Sequence, residues 1–192
     1  ITFLMAPRHH AAMRHVGPVR AALGVRTIFN LLGPLSNPAL VKRIMVGVFD
    51  QSYCAPFAHV LGQLGTTHAW VVHGADGLDE VSTTGKTHVA ALNDGEVTEF
   101  TISPDDIGLR TANLDQLRGG DGDHNARYLR ALLEGETGPY HDVVLLNAAA
   151  ALVAGGHAEN LQQAAIQAQE ALDSGKALAA LDNLIAITND KG

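Results

Sequence analysis

Arg43-Ile44-Met45-Val46-Gly47-Val48-Phe49 and Ala69-Trp70-Val71-Val72-His73-Gly74 bracket a segment, residues 55–64, that reads as a helix closed by Gly65. Both runs are almost free of polar residues, as strands covered on both faces are. A strand, a helix and a second strand with short connections predict a crossover in a sheet whose first pair is parallel. The core of the fold is therefore set in the middle of the chain.

Reading on from the second strand, Thr87-His88-Val89-Ala90-Ala91-Leu92 and Val97-Thr98-Glu99-Phe100-Thr101-Ile102 alternate more tightly, and Asn93-Asp94-Gly95 lies between them. Asp-Gly between two such runs predicts a hairpin, which makes the sheet mixed. The last third reads as helices over residues 125–133, 143–154, 161–172 and 176–187. Asp142, Glu159-Asn160 and Ser174 stand where caps are useful, and Gly155-Gly156 and Gly175 where helices stop. Asn147 falls inside the most apolar of these helices. A buried amide must find partners, so it is expected to pin its helix to a loop.

Reading back toward the start, residues 9–23 have helical spacing, with Met13, Val16, Val19 and Leu23 on one stripe and Gly17-Pro18 expected to kink or split the helix. Residues 27–32 form a short apolar stretch, and Gly33-Pro34 with Ser36-Asn37-Pro38 predicts a loop after it. Ile1-Thr2-Phe3-Leu4-Met5 reads as a strand already under way, as if the chain were cut from a longer protein.

Composition narrows the function classes. With 192 residues, 46% hydrophobic and 17% charged, the chain can bury a real core. Its net charge of -7, without a clustered basic run, argues against a sequence-independent grip on nucleic acid. The single cysteine, Cys54, can form no intramolecular disulfide; it reads as a core thiol and suits a reducing, cytoplasmic setting. No apolar run approaches bilayer length, so no membrane partner is expected.

Three constellations could carry chemistry. Pro7-Arg8-His9-His10, Arg14-His15, Arg20 and Arg26 gather donors with few carboxylates. They could grip a carboxylate through the arginine fork, or form a solvated helix face. His73-Gly74-Ala75-Asp76-Gly77-Leu78-Asp79-Glu80 ends a buried strand in a glycine-rich turn that presents adjacent carboxylates, at the sheet edge where open α/β folds place ligands. Hard oxygen donors there suit Mg²⁺, although an acidic turn alone is more often a plain turn. Arg26-Thr27-Ile28-Phe29-Asn30-Leu31-Leu32-Gly33-Pro34-Leu35-Ser36-Asn37-Pro38 has a confined backbone, fit for the wall of a pocket or for an ordinary helix exit.

Taken in order, His10-Ala11-Ala12-Met13, Val19-Arg20, the run from Arg26 to Leu35, Val72-His73-Gly74, Gly77-Leu78-Asp79-Glu80 and Leu146-Asn147-Ala148-Ala149-Ala150 resemble the anthranilate phosphoribosyltransferase family from end to end. The run from Arg26 to Leu35 is similar in looser form to the pyrimidine nucleoside phosphorylases. Two alternatives stay beside the first: a phosphorylase of the same fold, and a non-catalytic paralogue that binds nucleic acid.

The resemblance implies a small all-α domain packed on an α/β domain with a mixed central sheet flanked by helices. Residues 1–7 would be a strand of the large domain, 8–36 a helical segment of the small one, and 37–192 the large domain. It implies transfer of phosphoribosyl from phosphoribosyl pyrophosphate to the amine of anthranilate, in tryptophan biosynthesis. His10 and Arg20 would contact anthranilate, Asn30, Gly33 and Pro34 would lie along the substrate path, and Asp79 and Glu80 would bind Mg²⁺. No side chain is implied as acid, base or nucleophile. A homodimer is implied for the whole protein, and the family's glycine-rich pyrophosphate loop would lie upstream of Ile1, leaving this piece inactive by itself. One departure is plain: Ala11 replaces the family's proline and frees the backbone after His10.

Overall fold

The computed structural model describes every residue except Phe3, Ala12, Arg26, Thr27, Lys191 and Gly192, and of Ala6, Pro7, Met13, Arg14 and Arg20 it describes the backbone alone. The chain divides into two units, Ile1–Val41 and Lys42–Gly192.

The second unit is an α/β domain built on a four-stranded mixed sheet. Strand β1 (Arg43–Gly47) runs parallel to β2 (His68–Gly74), while β3 (Thr87–Asn93) and β4 (Glu96–Ile102) follow antiparallel in the order β1-β2-β3-β4. At the hairpin, Asp94 and Gly95 both adopt positive φ, 46° and 95°, the geometry a two-residue turn needs to match the twist of its strands.

The register explains how both faces are covered. Val72 stands opposite Val89, and both join a core with Leu146, Ala149 and Ala150 of the helix α6 (Pro139–Ala154). Their neighbours Val71 and Ala90 point the other way, the face on which Leu92 lies beneath Gly62 of α4 (Cys54–Gln63). Because Leu146 is fully buried, truncating it to alanine should cost about 2–5 kcal/mol.

Helices α5 (Gly122–Leu133), α7 (Leu161–Asp173) and α8 (Lys176–Asn189) complete this unit. Asn160 caps α7 by accepting the Gln163 N–H at 2.9 Å, as its position promised. Asp142 does not cap α6. That helix starts earlier, with Gly138 before it and Pro139 in its first turn, where the missing proline N–H removes a donor that has no intrahelical partner anyway. At its far end the Arg43 side chain donates to the Gly155 carbonyl at 2.8 Å, placing a cation where the helix dipole favours one.

The first unit holds α1 (Ala6–His9), α2 (Met13–Leu23) and α3 (Phe29–Leu35). Three expectations differ from the structure here. Helix α2 runs unbroken through Gly17-Pro18, and the helical stretch divides between α1 and α2 instead. Helix α3 likewise continues through Gly33-Pro34, where a loop was expected, and stops one residue later. A proline removes one N–H and crowds one carbonyl, a local cost of about 3 kcal/mol that does not break either helix here. Ile1, Thr2, Leu4 and Met5 belong to no strand, and a strand needs a pairing partner to exist. No described residue of this unit is buried; Val19, Leu23, Val25 and Ile28 are more than half exposed. Met13, also on the expected stripe, has its side chain outside the described residues.

Candidate functional site

Strands β1 and β2 are parallel, so the segments that follow them emerge at one edge of the sheet. After β2 the chain turns sharply: Gly77 donates to the Gly74 carbonyl at 2.9 Å, and Gly74 donates to the Leu78 carbonyl at 2.8 Å. The next two residues, Asp79 and Glu80, are exposed, and neither carboxylate has a hydrogen-bond or ion-pair partner among the described residues.

What surrounds this pair is fixed on three sides. Beneath it, Gly47 at the end of β1 packs so closely on the backbone of Asp79 that a Cβ on Gly47 would overlap the Asp79 carbonyl. Beyond it, Val81 is fully buried and both its backbone groups are bound by one side chain: Asn147 accepts the Val81 N–H at 3.1 Å and donates to the Val81 carbonyl at 2.7 Å. Asn147 therefore does pin its helix to a loop.

Before the pair lies Asp76. Its Oδ2 accepts from the hydroxyls of Ser82 and Thr84, each at 2.5 Å, and its Oδ1 accepts the Leu78 N–H at 3.1 Å. Burial alone would raise its pKa, but these donors, Ser82 first, outweigh it and hold the carboxyl below the ordinary carboxylate value. In the sequence Asp76 stands out only as part of an acidic turn. The signal that could have found it is the run Ser82-Thr83-Thr84 shortly after a loop aspartate, since hydroxyls near a carboxylate readily tie a turn.

The segment after β1 is ordered too. His73 Nδ1 lies 2.8 Å from the Val48 carbonyl; a carbonyl only accepts, so Nδ1 carries the proton. Asp50 accepts the Ser52 hydroxyl at 2.7 Å and its N–H at 2.9 Å, and these bonds lower its pKa.

Two adjacent carboxylates do not make a metal cage, and no cluster of three or more metal-binding side chains occurs among the described residues. This donor set nevertheless fits Mg²⁺ well, because that ion keeps several waters and takes one or two carboxylates together with substrate phosphates. Asp79 and Glu80, unpaired and facing solvent, are the residues that could hold it.

In the first unit, His10 follows α1 and is half-buried, while Asn30, Gly33 and Pro34 all lie on α3. Asn30 shares a shallow depression with Gly17 and Ala21 of α2 and with Val25. Arg20 lies within α2, but its side chain, like the whole of Arg26 and Thr27, is outside the described residues.

The second unit is thus a mixed α/β sheet that offers unpaired carboxylates from the loop after a parallel strand. The chain belongs to the glycosyl transferase family, a/b domain, which it matches over residues 1–178. Within that family it is similar to the anthranilate phosphoribosyltransferase of Chelativorans sp. (strain BNC1), with 56% identity over 191 residues, all of this chain and 56% of the relative. Among solved structures, it resembles the anthranilate phosphoribosyltransferase of Thermus thermophilus, with a TM-score of 0.89 and 43% identity over 96% of this chain and 54% of that one. The Saccharomyces cerevisiae enzyme in complex with PRPP and Mg gives a TM-score of 0.86 and 32% identity over the same shares. The chain thus spans about half the length of the relatives it matches.

Proposed function

We propose that the protein of which this chain is a part transfers the phosphoribosyl group of phosphoribosyl pyrophosphate to the amine of anthranilate, releasing pyrophosphate, in the cytoplasm. The observation that carries this reading is the presentation of Asp79 and Glu80, two unpaired carboxylates on a loop tied at three points, in a chain 56% identical to a named anthranilate phosphoribosyltransferase over its whole length.

Breaking the bond from ribose C1 to pyrophosphate leaves positive charge on the sugar and negative charge on the departing group. Stabilising that departing charge is the largest help a site can give. Mg²⁺, when bound, supplies it. Asp79 and Glu80 would hold the ion, and their fixed backbone would keep it from shifting as charge develops. The aniline nitrogen already has a free lone pair near neutral pH, so no basic side chain is assigned to it. Positioning does the remaining work: Arg20 would pair with the carboxylate of anthranilate and His10 would border its ring, with Asn30, Gly33 and Pro34 along the path. Residues 8–36 would belong to a small helical domain, 37–192 to the large one, and residues 1–7 would form a strand of the large one. The whole protein would act as a homodimer, without nucleic acid or membrane partners.

The test is an assay of the intact protein. Pyrophosphate release that requires anthranilate supports the reading, whereas phosphate-dependent cleavage of a pyrimidine nucleoside without it would replace it with a phosphorylase.

A further inference from the structure

Asp76 stands three residues before Asp79 in the same loop, yet its own oxygens already accept three hydrogen bonds. Oδ1 takes the Leu78 N–H, and Oδ2 takes both the Ser82 and Thr84 hydroxyls. With three hydrogen bonds already on its oxygens, it is a poor third ligand. Its three donors lie on both sides of the exposed pair, since Leu78 precedes Asp79 and Ser82 follows Glu80. A single carboxylate therefore draws together the two ends of the short segment that carries Asp79 and Glu80.

The rest of the loop is built to accept this knot. A Cβ on Gly74 would fall 2.5 Å from Asp76 Oδ1 and 3.1 Å from the Ser82 Cβ, so only glycine leaves room for the carboxylate there. Ser82 is fully buried, and its N–H is bound by the Thr87 hydroxyl at 2.9 Å, which fixes it to the start of β3. Thr84 donates its own N–H to the Ser82 hydroxyl at 2.9 Å. Without these ties a segment containing Gly77 would keep much of its backbone freedom, and a metal would have to order it on binding.

We propose that Asp76, Ser82 and Thr84 are positioning residues that preset Asp79 and Glu80 for a magnesium-bound diphosphate, acting through the loop without touching the metal. This rests on the reading of Asp79 and Glu80 as the magnesium ligands. Groups that orient metal ligands typically change affinity about 10- to 100-fold when removed.

The experiment titrates Mg²⁺ into the intact protein in the presence of pyrophosphate and follows binding by calorimetry, with amide hydrogen exchange across residues 76–84 as a second readout. Ser82→Ala and Thr84→Val should each weaken magnesium pyrophosphate binding by about tenfold or more and speed exchange in the loop. Thr84→Ser, which keeps the hydroxyl, should bind as the parent does. Thr84 is only half-buried, so its variants test the idea even if Ser82→Ala fails to fold. Equal affinities for Thr84→Val and Thr84→Ser, while Asp79→Asn and Glu80→Gln still weaken binding, would overturn the positioning role and leave the ligand reading intact. Undiminished binding in Asp79→Asn and Glu80→Gln would overturn both.

Discussion

Asn147 binds Val81 as a neighbouring strand would, accepting its N–H at 3.1 Å and donating to its carbonyl at 2.7 Å, although one residue sits on a helix and the other in a loop. A third bond runs from the same amide to the Val143 carbonyl at 2.9 Å, so the amide is fixed from its own helix as well. The loop that carries Asp79 and Glu80 is thereby attached to the core helix α6.

Replacing Asn147 with leucine should leave both backbone groups of buried Val81 without partners. Each such group costs about 1–3 kcal/mol, so a loss of about 2–6 kcal/mol is expected in urea unfolding. A loss below about 0.5 kcal/mol would mean that water takes over the amide's role.

Acid should loosen the same loop through Asp76. Its folded pKa is lowered, so the unfolded chain binds more protons in the acid range and the stabilisation it gives is present above the ordinary value of 3.8 and lost as pH falls below it. Asp76→Asn should therefore flatten the fall in urea midpoint between pH 5 and pH 3, to be measured against the parent across that window. Parallel curves for the two proteins would count against the assigned bonds.

Cys54 is fully buried, and burial, with the carboxylates of Glu99 and Asp50 adding to it, pushes its thiol up to about 11. At pH 8 it should react with a disulfide reagent about a hundredfold or more slowly in the folded protein than in urea. Matching rates would show that α4 opens readily or that the thiol lies elsewhere.

The middle of the chain was legible because its signals are local. Unbroken apolar runs marked β1 and β2, and Asp94-Gly95 placed the hairpin, since those residues accept the backbone that the turn requires. Asn147 announced that it needed a partner but could not say which; Val81 is 66 residues away in sequence, and only the packing of α6 on the sheet brings them together. Asp79 and Glu80 could be picked out as exposed acids after a glycine turn. Asp76 could not be separated from them, because what distinguishes it is that its oxygens are occupied, which depends on the loop folding back on itself. In residues 1–41 the sequence misled through proline: Pro18 and Pro34 read as breaks, yet both lie inside helices that continue past them.

The central claim is that Asp79 and Glu80 hold the magnesium that stabilises departing pyrophosphate. It is tested most directly by following turnover of the intact protein across a magnesium series, with Asp79 and Glu80 both changed to alanine. Turnover should fall by about a hundredfold, with a higher magnesium requirement for what remains. Turnover and magnesium dependence identical to the parent's would contradict it.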